Sequence, residues 1–89
     1  MKAVVTVVGK DTVGILAKVS GICAENQMNV VEVSQTILQD MFCMIMLVEG
    51  NDENSDFSRF SKMLKEEGEK VGLVIHSMHA DVFETMHHI

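Results

Sequence analysis

The 89-residue chain reads as an α+β domain in which a four-stranded antiparallel sheet carries two helices on one face. Three observations lead there. Four apolar stretches alternate with polar breaks, two other stretches carry apolar residues at helical spacing, and their order is β-α-β-β-α-β. Right-handed crossovers in that order place both helices on the same side of the sheet, the ferredoxin-like plan.

The first strand spans about Lys2 to Val8 and is interrupted only by Thr6. Its near-continuous apolarity predicts a central strand covered on both sides. A short polar loop follows Gly9, and Ile15, Leu16, Val19, Ile22 and Cys23 then mark one face of a helix from about Val13 to Asn26. Asp11 or Thr12 is the expected N-cap. Gln27 to Asn29 form a polar break before a second strand, Val30 to Leu38. Val31, Val33 and Ile37 are expected on one face of it, with Val30, Glu32, Ser34 and Thr36 on the other.

Gln39-Asp40-Met41 suits a hairpin turn into a third strand, Phe42 to Val48, again apolar on both faces. After a polar loop from Gly50 to Asn54, Asn54 or Ser55 is the expected cap of a second helix. Phe57, Phe60, Leu64 and Val71 form its apolar side, and Glu66 can pair with Lys70 one turn on. Gly68 should weaken this helix by about 1 kcal/mol relative to Ala, and Gly72 should stop it. The last strand is expected from Leu73 to about Phe83, with Thr85 to Ile89 as a loose tail of a single domain, residues 1–89.

Strands one and three offer apolar residues to both faces: Ala3, Val5 and Val7 against Val4 and Val8, and Phe42, Met44 and Met46 against Cys43, Ile45 and Leu47. One set of each pair would be wet in a monomer, which predicts self-association, most simply as a two-fold homodimer.

Composition excludes several functions. Apolar residues make up 47% of the chain, enough for a folded core, but no run approaches the length of a membrane span. The N-terminus lacks the pattern of a secretory leader, so a cytoplasmic protein is expected. A net charge of −6 with only seven Lys and Arg leaves no basic stripe, and four Phe without Trp or Tyr leave no stacking platform; direct nucleic-acid binding is not expected. Eight Met residues most simply fill gaps in the core. Cys23 and Cys43 both read as buried, reduced thiols without a His partner, hence not as nucleophiles. His76 and His79 fall on opposite faces of one strand and cannot share an ion, and His87-His88 lie in the tail, so no metal and no cofactor are expected.

The Gly9-to-Gly14 spacing matches half of a phosphate-binding loop, but Ile15-Leu16 replaces the Lys-Ser/Thr pair that such a loop needs. A dinucleotide fingerprint fails because Asp11 stands where its second glycine belongs. Small phosphatases of the acylphosphatase type share the element order and rely on an Arg in the loop; here the only Arg is Arg59, on the second helix. The chain is therefore not expected to be an enzyme.

The stretch Asp11-Thr12-Val13-Gly14-Ile15-Leu16, followed by Val19-Ser20, Ile22, Ala24 and Asn29-Val30, resembles the signature of the ACT domain over nearly the whole chain. It looks closest to the ACT modules of the glycine cleavage repressor type and of formyltetrahydrofolate deformylase. The resemblance implies the same fold and a regulatory site for an amino acid or related effector, often completed by a second subunit. Asp11, Thr12, Val13, Gly14, Ile15, Leu16, Asn29 and Val30 are the site residues so implied. Where many members carry Pro before the glycine, this chain has Val13.

Two readings of that loop are open. In one, free N–H groups at the helix start receive a carboxylate, Asp11 pairs with an ammonium group, Gly14 permits close approach, and Asn29 donates and accepts. In the other, Asp11 caps the helix, Gly14 avoids a clash with a neighbouring strand and Asn29 satisfies a turn. The alternative function is an interaction module that docks and regulates a protein partner without any ligand.

Overall fold

The computed structural model describes residues 1–10, 13–51 and 56–82. Its elements are β1 (Lys2–Lys10), α1 (Ile15–Glu25), β2 (Met28–Leu38), β3 (Met41–Gly50), α2 (Phe57–Lys70) and β4 (Val74–His79). The strands form one antiparallel sheet in the order β2-β3-β1-β4. The expected β-α-β-β-α-β plan is the one observed.

The helix-covered face follows from strand alternation. Ala3, Val5 and Val7 of β1 sit opposite Val48, Met46 and Met44 of β3 and, with Ile75, form the floor of the core. Ile15, Val19, Ile22 and Cys23 descend from α1, and Phe60 and Leu64 from α2. Asn26, buried at the end of α1, ties the two helices together: its Nδ2 donates to the Ile22 carbonyl at 2.8 Å and lies 3.4 Å from the Met63 sulfur. At the other end of α2, Gly72 takes φ 78°, and the Leu73 and Gly72 amides donate to the carbonyls of Gly68 and Glu69. This paired C-terminal closure makes Gly72 the stop that its position suggests.

Several expectations are corrected. The N-cap of α1 is Gly14 itself, with helix proper beginning at Ile15, because a left-handed residue cannot lie inside the helix. The N-cap of α2 is Asp56, whose carboxylate accepts from the Arg59 amide at 3.1 Å, rather than Asn54 or Ser55. Those two residues lie outside the described ones. Val71 is 44% exposed because it follows the last helical residue instead of continuing the apolar side. Lys70 pairs with Glu67 at 2.7 Å, not with Glu66, which faces Lys62 at 3.9 Å.

A β-bulge at Val31 alters β2 most. Val30 faces Val48, but the next register pair is Glu32 with Leu47, so Val31 has no partner. The extra residue puts Val30, Val33, Gln35 and Ile37 on the helix side, and Asn29, Glu32, Ser34 and Thr36 on the open side. The alternation expected for an unbroken strand holds only after the bulge. From Asn29 to Leu38 every residue is exposed, and β2 is an edge of the sheet.

β4 ends at His79 rather than near Phe83, and residues 80–82 turn into a helical segment that brings Ala80 over the open face. There Val4 is buried while Val8, Ile45 and Val74 stay exposed. The proposed tail, residues 85–89, lies outside the described residues.

Candidate functional site

β1 delivers the chain to Gly9, which is buried because a Cβ there would stand 2.5 Å from Leu73 Cδ2 and 3.3 Å from the Gly72 carbonyl oxygen. The end of β1 is thus pressed against the α2–β4 junction. Gly14, ahead of α1, has a φ of 86°, a value that L side chains rarely adopt. A Cβ at Gly14 would meet nothing within 4 Å. The glycine therefore serves the backbone turn; it does not relieve a clash with a neighbouring strand.

The first intrahelical bond runs from the Lys18 amide to the Gly14 carbonyl at 2.9 Å. The amides of Ile15, Leu16 and Ala17 therefore precede the helical ladder and carry the positive end of the helix dipole. Among the described residues no side chain caps this end, and no acidic residue stands in the first turn. Ile15 is buried in the core, whereas Leu16 is 41% exposed and Val13 fully so. The arrangement offers a small anionic group amides that no described side chain caps, near the exposed apolar side chains of Val13 and Leu16. Asp11 and Thr12 lie outside the described residues.

Asn29 and Val30 are elsewhere. Asn29 pairs with Glu49, which pairs with Lys2 at the beginning of β1, whereas Gly9 pairs with Phe42 at the far end. Seven residues of strand separate the two levels, roughly 23 Å at the usual rise. Within one chain the helix start and the Asn29-Val30 pair occupy opposite ends of the sheet. The linear motif gives no hint of this, because strand direction and pairing decide it.

The cysteines and histidines stand apart from the loop. Cys23 is buried, and desolvation raises its thiol to about 11, so it stays protonated and unreactive at neutral pH. Cys43 is only half-buried, contrary to expectation, because it lies on the open face. The sheet separates it from Cys23. His79 stacks on Phe57 with centroids 4.1 Å apart, while His76 sits on the other face opposite Thr6, as their odd spacing implied. Among the described residues no group of three His, Cys, Asp or Glu is arranged to hold a metal ion. No helix among them is long and apolar enough to cross a membrane. The Lys70 ammonium lowers the Glu67 carboxyl by hydrogen bonding and by its charge, but that pair is on the α2 surface.

The sheet order and the two helices on one face define a ferredoxin-like βαββαβ domain. The chain belongs to the ACT domain family, whose model matches residues 2–78. ACT domains are regulatory small-molecule-binding domains. A UPF0237 protein of Clostridium perfringens is 46% identical over 89 residues, covering all of both chains. The structure of an ACT domain protein from Streptococcus pneumoniae superimposes with a TM-score of 0.82 at 40% identity, covering 94% of each chain. A formyltetrahydrofolate deformylase from Pseudomonas putida shares the fold with a TM-score of 0.76 at 18% identity; the match covers 88% of this chain and 28% of that one.

Proposed function

We propose that this protein is a cytoplasmic regulatory sensor of a free amino acid or a closely related metabolite, working as a homodimer and without catalysis. The observation that supports the reading is the start of α1, where Gly14 takes a left-handed turn and no side chain among the described residues caps the first amides. The amides of Ile15 and Leu16 receive the ligand carboxylate, Val13 and Leu16 flank its side chain, and Asp11 and Thr12 hold its ammonium group. Asn29 and Val30 complete the site from the second subunit.

The shape of β2 supports that division. It is an edge strand of 11 residues without Lys or Pro to block further pairing, and Val30, Val33, Ile37 and Leu38 are exposed along it. Antiparallel pairing of two such edges about a two-fold axis brings the Asn29 end of one β2 beside the Leu38 end of the other. That end is level with the partner's β1–α1 loop. A ligand bridging the two chains favours one arrangement of subunits and shifts its population, which is how binding reaches whatever the protein regulates.

Calorimetry of the purified chain against the common amino acids tests the reading: at least one should give saturable heat, and Asp11→Ala should abolish it while the chain stays folded. Light scattering at micromolar concentration should report a dimer. The exposed β2 edge also favours a second reading, a docking surface for a protein partner. In that case no amino acid gives heat and Asp11→Ala leaves docking intact.

A further inference from the structure

A concave site lies on the open face of the sheet, away from the start of α1. It is a groove of about 280 Å³. Val4, Ile45 and Leu47 form its floor, Ala80 closes one side, and Glu32 and Ser34 of β2 border the other. The bulge at Val31 produces this layout. It turns Glu32 and Ser34 to the open side, opposite Leu47 and Ile45, so that two polar groups from alternate positions face an apolar floor. Ala80 leaves β4 to cover Val4, giving the floor a wall.

The chemistry of the lining selects the occupant. Glu32 is exposed, and no ion pair is formed by its carboxylate among the described residues. None of the described lining residues is a Lys, Arg or His. A ligand with a positive head and an apolar body finds a partner for each part. A zwitterionic amino acid would leave its own carboxylate unpaired beside Glu32, where two like charges repel. The net charge of −6 further favours a cation. The volume is small for a drug-sized ligand, whose pockets usually measure about 300–1,000 Å³.

We propose that this groove binds a small apolar monoamine, with the ammonium group on Glu32, a hydrogen bond to Ser34 and the hydrocarbon over Val4, Ile45 and Leu47. The site is independent of the amino-acid reading of the β1–α1 loop. A β2-to-β2 dimer pairs the backbone edges of β2, with the side chains of Glu32 and Ser34 still on the open face.

Isopentylamine and leucine make a discriminating pair of probes, since they share a hydrocarbon body and differ by the carboxylate. Amide NMR titration of the full chain with isopentylamine should move the signals of Glu32, Ser34, Ile45 and Leu47 and leave Gly14 to Ala17 in place. Leucine should not move the groove signals. Glu32→Gln, an exposed and nearly isosteric change, should weaken isopentylamine binding about tenfold or more while the spectrum stays dispersed. Isopentyl alcohol should bind no better than isopentylamine binds to Glu32→Gln. Unmoved groove signals at millimolar isopentylamine, equal binding of leucine there, or full affinity in Glu32→Gln would each overturn the proposal. None of these results bears on the loop, whose reporters are the Gly14 to Ala17 signals.

Discussion

Phe60→Ala should remove about 3–5 kcal/mol of unfolding free energy, the range for truncating a buried aromatic side chain. Phe60 is 0% exposed and is the largest fully buried side chain among the described residues. It projects from the first turn of α2 onto the core shared with Met44, Met46 and Leu64. Small domains are stable by only about 5–15 kcal/mol in total, so the variant should be partly unfolded at moderate temperature. Urea titration followed by circular dichroism measures the effect: the midpoint should fall sharply with the slope preserved. A loss below about 1 kcal/mol would mean that α2 does not hold the core through this ring.

Gly68→Val should cost about 1–3 kcal/mol through overpacking, even though glycine is a poor helix former. A Cβ at Gly68 would stand 2.8 and 2.9 Å from the Ile75 side chain and 3.1 Å from the Leu73 carbonyl oxygen. The Ile75 tip can rotate aside, but the carbonyl belongs to the backbone that closes α2, where the Leu73 amide donates to Gly68 itself at 2.8 Å. A branched side chain must push β4 away from the helix or break that closure. Thermal unfolding of Gly68→Val beside Gly68→Ala separates the contributions. Alanine regains helix propensity and should lie near the parent, and valine should melt well below both. A valine variant as stable as the parent would show that α2 and β4 can part at this point without cost.

The two substitutions mark how far residue patterns carry. Phe60 is legible as core from its place at helical spacing with Phe57 and Leu64. Gly68 in the linear chain is only a weak helix former, and its second role appears when β4 is laid beside α2. The same holds for Gly14: its motif position is visible in sequence, but its reason, a left-handed turn into empty space, is a backbone angle. Caps show the limit from another side. Several polar residues precede each helix, any of which has the right chemistry, and the path of the chain selects Gly14 and Asp56.

The candidate site divides in the same way. The Asp11-to-Leu16 signature, the element order and the two-sided apolarity of β1 and β3 belong to the sequence, because side-chain type and period 2 or 3.6 are local properties. They carry the family and the fold, and they name one half of the candidate site. The tertiary structure alone decided that Asn29-Val30 lies at the far end of the sheet from Gly14, since pairing register is a non-local choice among strands. It also decided that one unpaired residue, Val31, exchanges the faces of β2 and turns Glu32 and Ser34 over an apolar groove. A bulge shifts every later side chain to the other face, and in a strand exposed on both sides no hydrophobic pattern records that it has done so.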